Sequence, residues 1–280
     1  MKEFNADQIS ALSAFVDSER FSTGQSNREL HLHDISAHRG TLPAAIIWPV
    51  TTEEVSKILS WAYTQDVPVT PWGAGTSTEG NPVPTRGGLV LDMTRMDKII
   101  EIRPRDLQTD VQPGVLRKEL NHQAAKQGLF FPPDPGADAS IGGMIANNAS
   151  GVQTVKYGAT KDYVMKLTVV LPHGNIIHTG CKAHKSSSGY VFGHAGDGNL
   201  HVVLVGDPAN EKEWSKLEEI NDQIVTLAVE IGGTCTGEHG IGIGKRKFME
   251  LEHGQSYHLM RQIKELVDPK GLLNPGKIFM

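Results

Sequence analysis

The chain has 280 residues, enough for one large domain or two modest ones. With 27 basic and 32 acidic residues the net charge is −5, which gives no electrostatic footprint for nucleic acid. No apolar run approaches the ~18 residues of a membrane-spanning helix, and two cysteines, Cys181 and Cys235, are too few for a disulfide framework or a Cys-based zinc site.

The first residues, Met1-Lys2-Glu3-Phe4, show no apolar signal core and no Arg-rich transit pattern, so a cytoplasmic location is expected, with peripheral association to the inner membrane left open. Short strands are predicted at Ala44–Trp48, Val67–Pro71, Leu89–Met93, Ile99–Arg103 and Thr109–Gln112. Thr51-Thr52-Glu53-Glu54 is a capping box opening a helix, with Val55, Ile58, Leu59 and Ala62 on its inner face. A second helix is predicted from Val115 to Gln127, with Leu116, Leu120 and Ala124 inward and Gly128 as its stop. Leu167–Leu171 and Asn175–Thr179 read as a hairpin turned at Pro172-His173-Gly174. Further on, His201–Val205 reads as a strand. Asn210–Ile231 reads as an amphipathic helix carrying Trp214, Leu217, Ile220, Ile224, Leu227 and Ile231 at helical spacing. A last helix, Ser256–Val267, carries Leu259, Met260, Ile263 and Leu266 and ends at Asp268-Pro269. Helices mixed with strands imply an α+β or α/β arrangement, divided near Tyr190 into units 1–190 and 191–280.

The 30 glycines exceed the usual ~7% and cluster at four places. The first cluster, Pro71-Trp72-Gly73-Ala74-Gly75-Thr76-Ser77, follows a predicted strand. Glycine lets successive N–H groups point at phosphate oxygens, and Thr76 and Ser77 add hydroxyls. No G-x-x-G helix start and no Lys-Ser/Thr follows, which disfavours a Rossmann fold and a nucleoside triphosphatase loop. A diphosphate cradle and a plain tight turn both remain. The second cluster runs from Pro133 and Asp134 through Ser140, Ile141, Gly142, Gly143 and Asn147 to Ser150 and Gly151. Between Ala139 and Gly151 it is nearly free of side-chain bulk and charge, and such a stretch can lie along a planar ligand or serve close packing. The third and fourth clusters hold His194 and His201 around a Gly-Asp-Gly-Asn turn, then Glu238 and His239. Two imidazoles near one turn can share a divalent ion if a third ligand is supplied, and Glu238 is available. The other histidines, His31 among them, have no convergent partners in sequence, and Lys245-Arg246-Lys247 reads as a solvated helix start.

The first two clusters together resemble the flavoprotein family of vanillyl-alcohol oxidase type. The strings Gly136-Ala137-Asp138-Ala139-Ser140, Gly237-Glu238-His239-Gly240-Ile241-Gly242 and the run from Asp268 to Lys277 resemble its cytochrome-linked D-lactate dehydrogenase subgroup, beside glycolate and D-2-hydroxyglutarate dehydrogenases. The resemblance implies an α+β fold, with a PCMH-type FAD-binding domain over 1–190 and a remnant of the FAD-linked oxidase cap over 191–280. It implies FAD held by residues 71–77 and by Pro133, Asp134, Ser140, Ile141, Gly142, Gly143, Asn147, Ser150 and Gly151. Thr76 stands where covalent relatives carry a His, which implies non-covalent FAD. It also implies His194, His201 and Glu238 as ligands of a divalent metal, zinc being expected, and His239 as the base that takes the substrate hydroxyl proton. The implied substrate is a small 2-hydroxy acid, D-lactate first, with electrons passed to a cytochrome or a quinone.

The resemblance breaks after Tyr190, which runs straight into Val191-Phe192-Gly193-His194. The Glu-Gly-Thr segment that closes over the flavin in relatives has no counterpart, nor does most of the cap sheet. A non-catalytic remnant that keeps a flavin or metal site is therefore the alternative expectation.

Overall fold

The computed structural model describes residues 3–180, 210–236 and 240–279. The elements run α1 (Ala6–Ser13), β1 (Phe21–Ser22), α2 (Gln25–Leu30), β2 (Ala45–Ile47), α3 (Thr52–Thr64), β3 (Val69–Trp72), β4 (Leu89–Asp92), β5 (Ile99–Arg103), β6 (Gln108–Val111), α4 (Arg117–Ala125), α5 (Ile141–Asn147), α6 (Thr154–Tyr157), β7 (Lys166–Val170) and β8 (Ile176–Gly180). After residue 209 come α7 (Glu211–Glu230), α8 (Met249–His253) and α9 (Gln255–Val267). This is the expected α+β fold. The boundary expected at Tyr190 and the strand expected at His201–Val205 lie outside the described residues.

The main sheet has the order β1-β2-β4-β3, with β2, β4 and β3 parallel and β1 antiparallel on the β2 edge. Central β4 is buried along its whole length, and Leu89-Val90-Leu91 is the continuous apolar run that a parallel strand covered on both faces needs. α3 lays Val55, Ile58, Leu59 and Ala62 against Ala45, Ile47, Val69, Leu89 and Leu91. Full burial of an aliphatic chain such as Ile58 contributes roughly 1.5–3 kcal/mol. The pairs β5–β6 and β7–β8 are separate antiparallel ribbons. The hairpin turn at 172–174 forms as expected, with Gly174 at φ +92° and its N–H donating to the Leu171 carbonyl.

The chain's end is stitched onto this sheet. The Val69 N–H donates to the Leu272 carbonyl (2.8 Å) and the Asn274 N–H to the Val69 carbonyl (2.7 Å). A parallel bridge at Val69 and Leu273 thus covers the outer edge of β3. Asp268 anchors the strap: its buried carboxylate accepts from the Leu272 N–H, the Leu273 N–H and Lys264 Nζ.

Two expectations need correction, and two apolar stripes stay largely uncovered. Thr51 caps α3 through the Glu54 N–H, but Glu54 does not return to the Thr51 N–H. It accepts instead from the Val50 N–H (2.7 Å) and from both ends of the Arg20 guanidinium (2.7 and 3.0 Å). Leu116 is the residue before α4, in extended conformation, and lies exposed rather than inward. On α7 the buried residue is Val225, while Ile231 just beyond it is 78% exposed; on α9 Tyr257 is buried and Leu259, Ile263 and Leu266 are exposed. Apolar spacing identified both helices but not which positions are covered.

The Arg20–Glu54 pair sets an acid limit on stability. Burial pushes the Glu54 carboxyl up, but the hydrogen bonds from Arg20 and Val50 outweigh it and hold the group below its ordinary value. A carboxylate with a depressed folded value stabilises the protein above the ordinary Glu range and loses that contribution as pH falls through the folded value. Thermal melts are therefore expected to drop on acidification below pH ~4. Glu54→Gln is expected to cost about 1.5–3 kcal/mol at neutral pH, because the buried Arg20 guanidinium loses its half-buried charged partner and keeps only the exposed Asp17, and to flatten the acid slope.

Candidate functional site

The glycine loop is built by the end of β3. Val69 and Thr70 are buried in the sheet, Trp72 is half-buried, and the chain turns at Gly73-Ala74-Gly75. Gly75 sits at φ +68°, and a Cβ on it would lie 2.8 Å from Trp72 Cζ2, so both conformation and space require glycine. Among the described residues, none of the five N–H groups from Gly73 to Ser77 meets a protein acceptor. Ser77 Oγ accepts from the Glu79 N–H, the Asn81 N–H and the Asn81 side chain, which leaves its own proton to donate outward. Half-buried, unpaired N–H groups in a turn with one left-handed residue form a cradle for an anion.

The second cluster is brought against this loop. A Cβ on Gly73 would overlap Ser140 Oγ, so the loop and the start of α5 touch. Ser140 is buried and caps α5 through the Gly143 N–H. Pro133 is buried; Asp134 is held by Arg117 Nη2 (3.0 Å) and by the Gly136 N–H. Gly151 packs directly on the Asp134 carbonyl, leaving no room for a side chain. Gly142 packs on Pro113, Ile141 is in the core, and Asn148 ends α5 in the left-handed region. The Ala149 carbonyl accepts from Thr160, and Ser150 is buried. Residues 133–151 thus form a wall, of mostly small residues from Ala139 onward, that meets the loop at Ser140.

The C-terminal unit reaches the same place. A Cβ on Gly240 would lie 2.7 Å from Asn147 Oδ1, Gly242 packs on the Glu79 carbonyl, and the Ile243 N–H donates to that carbonyl (2.9 Å). Lys245 and Arg246 are not a solvated helix start: Lys245 Nζ faces Glu79 at 4.0 Å and Arg246 donates to the Gly276 carbonyl (2.6 Å). Burial raises the Glu79 carboxyl, with Lys245 opposing and nearby Asp34 reinforcing. Burial and Arg246 together push Lys277 down to about 8 against Asp34, and its ammonium donates to the Val83 carbonyl. Cys235 is pushed up to about 12 by burial and by Glu252, so it stays a thiol. His194, His201, Glu238 and His239 lie outside the described residues; among the described residues no group of His, Cys, Asp or Glu could hold a metal.

Sequence reasoning missed His31. It is buried, with Nδ1 at the Asn27 carbonyl (2.7 Å) and Nε2 at Asp92 (2.9 Å), a residue 61 positions away. A partner that distant leaves no local signal.

Comparison with known proteins gives the family. Residues 43–180 match the family described as FAD binding domain, and residues 175–278 the family described as FAD linked oxidases, C-terminal domain. A probable mitochondrial D-lactate dehydrogenase of Danio rerio is 24% identical over 452 aligned residues, covering 96% of this chain and 91% of the relative. That span is longer than the chain, so the relative carries within it a long stretch with no counterpart here. A D-lactate dehydrogenase of Archaeoglobus fulgidus is 41% identical over 199 residues, covering 70% of this chain and 44% of that one. A D-2-hydroxyglutarate dehydrogenase of Xanthomonas citri is 34% identical over 202 residues, with 70% and 43% covered. Among solved structures, alkyldihydroxyacetonephosphate synthase superposes with TM-score 0.57 at 26% identity, covering 61% of this chain and 34% of that chain. p-Cresol methylhydroxylase shares the fold, with TM-score 0.55 at 22% identity, covering 61% and 34%. The chain therefore spans about a third of the solved chains it matches. With a PCMH-type FAD-binding domain joined to part of the C-terminal oxidase domain, the chain belongs to the FAD-linked oxidases of the vanillyl-alcohol oxidase family.

Proposed function

We propose that the chain binds FAD non-covalently along residues 71–77 and 133–151 and oxidises a D-2-hydroxy acid, D-lactate to pyruvate in the first place. The observation that carries this is the run of five N–H groups at Gly73–Ser77, without an acceptor among the described residues, set against the small-residue wall. A diphosphate needs N–H donors without competing acceptors, and a flat ring system needs a wall without projecting side chains. FAD, when bound, supplies the two-electron acceptor. The chain's own residues bind and orient: the loop holds the diphosphate, Ser77 donates its hydroxyl proton, and Asn147, beside Gly240, joins the wall to the C-terminal unit. Removing the α-hydrogen of lactate as hydride also requires loss of the hydroxyl proton, and His239 is assigned to take it. The divalent metal at His194, His201 and Glu238, zinc being expected, belongs to the same proposal and rests on motif resemblance. So does a cytochrome or quinone as the final acceptor, reached from the cytoplasm with peripheral membrane association. Metal content in His201→Ala tests the metal site.

The stretch that the Danio rerio relative carries and this chain lacks favours a second reading, a flavin-holding remnant without turnover. Dye reduction by the flavin-loaded protein, with D-lactate, L-lactate and D-2-hydroxyglutarate compared, separates the two. Turnover confined to D-acids supports the enzyme; none with any acid, on protein that retains flavin, supports the remnant. With Thr76 at the position where covalent relatives carry His, acid precipitation is expected to release all flavin to the supernatant. Colour left in the pellet would show a covalent bond.

A further inference from the structure

We propose that His31 is a positioning residue for the glycine loop, acting through the ring of Trp72. The proposal rests on the reading of that loop as the FAD diphosphate site, and it uses a segment N-terminal to the matched span, which begins at residue 43.

His31 ends α2 with its ring buried between two acceptors. Nδ1 faces the Asn27 carbonyl and Nε2 faces Asp92 Oδ2. A carbonyl can only accept. Asp92 is fully used as an acceptor: Oδ2 also takes the Trp48 indole N–H (2.6 Å), and Oδ1 takes the Thr94 N–H (2.8 Å) and hydroxyl (2.6 Å). The imidazole is thus held at both ring nitrogens, by a backbone carbonyl at one and by a carboxylate at the other. The clamp fixes the ring plane, since rotation would break both hydrogen bonds at once.

The fixed ring meets Trp72 edge to face, with centroids 4.8 Å apart and planes at 63°. Trp72 is the last residue of β3, and its six-membered ring lies close against Gly75, where a Cβ would come within 2.8 Å of Cζ2. The order Asp92, His31, Trp72, Gly75 is thus a continuous stack from central strand β4 to the loop. A ring fixed at both nitrogens restricts where the Trp72 indole can pack edge to face against it, and the turn at Gly75 follows the indole. Asp92 ends β4, the buried inner strand of the sheet, so the sheet sets the position of the turn.

The test is a double-mutant cycle on FAD affinity, using flavin-stripped protein titrated with FAD. His31→Gln keeps polarity and approximate size but cannot donate to both acceptors. It is expected to weaken FAD binding about tenfold when Trp72 is present and less than twofold in the Trp72→Leu background. Equal losses in the two backgrounds would overturn the proposal, because His31 would then not act through Trp72. A second readout needs no flavin: the near-ultraviolet circular dichroism band of Trp72, identified by its loss in Trp72→Leu, is expected to collapse in His31→Gln. An unchanged band would refute the positioning role even if the wild type took up no FAD, an outcome that would separately sink the flavin reading. If His31→Gln does not fold, nitrogen-15 spectra of the wild type decide. Both ring nitrogens of His31 are expected to report hydrogen bonds, and a ring with one nitrogen free of any hydrogen bond would contradict the clamp.

Discussion

Gly151→Ala is expected to abolish FAD retention and to lower the melting temperature by roughly 2–12 °C. A Cβ at this position would sit on the Asp134 carbonyl oxygen and carbon, which are backbone atoms and cannot rotate away. The chain must then separate the two ends of the small-residue wall. Overpacking of this kind costs roughly 1–3 kcal/mol and more where backbone must move, and each kcal/mol is roughly 2–4 °C for a domain of this size. The wall's geometry would go with it, since Asp134 also holds Arg117 and the Gly136 N–H. Gly136→Ala is the control. Its Cβ would meet nothing, and only the left-handed φ of +80° is strained, at a cost of about 1–2 kcal/mol. Calorimetry and bound-flavin absorbance on both variants check the claim. Wild-type melting and flavin content in Gly151→Ala would show that the wall does not need this contact.

Ending the chain at Val267 is expected to give insoluble protein, although every residue from 43 to 180 remains. The strap from Asp268 onward supplies both partners of Val69, which is 2% exposed, and it buries Leu272 and Lys277. Without it, β3 becomes an open edge next to the glycine loop. Each buried N–H or C=O left unpaired costs roughly 1–3 kcal/mol, to be set against a total stability of roughly 5–15 kcal/mol. The Thr85 hydroxyl would lose the Pro275 carbonyl and the Val83 carbonyl would lose Lys277. Asp268→Ala is the milder version. It removes one buried acceptor serving three donors and is expected to cost about 3 kcal/mol while leaving a folded protein with weaker flavin retention. Soluble yield and thermal melting are the measurements; a truncated chain that melts like the wild type would show that the FAD domain closes its own edge.

Much of the framework was legible because local rules and tertiary demands agree. Val55, Ile58, Leu59 and Ala62 recur at helical spacing and are all buried. Ile99–Arg103 pairs as a strand, and the 172–174 turn forms where Pro-His-Gly stands. The glycine loop and wall were legible because left-handed backbone and absent Cβ atoms leave a mark in composition. Their mutual contact, Gly73 on Ser140, was not, since nothing local encodes it. The same limit hid the His31–Asp92–Trp48 network, whose members lie 44 and 61 positions from Asp92. On α9 the periodic stripe was real, yet Leu266 is 82% exposed. A stripe shows which face is apolar, and only the fold shows whether anything covers it. Glu54 followed the same logic: a reciprocal cap was the local optimum, and the buried Arg20 guanidinium offered a stronger one.

The most direct test of the account is FAD titration of flavin-stripped wild type beside Gly75→Val. The wild type is expected to bind about one FAD per chain, because the Gly73–Ser77 N–H groups are set for a diphosphate. In Gly75→Val the side chain would run into Trp72 and the left-handed φ of +68° would be strained, so the cradle would open. Binding is expected to fall at least a hundredfold, equivalent to about 2.7 kcal/mol, with far-ultraviolet circular dichroism unchanged. A folded wild type that takes up no FAD, or a Gly75→Val variant that binds it as tightly as the wild type, would contradict the placement of the flavin on this loop.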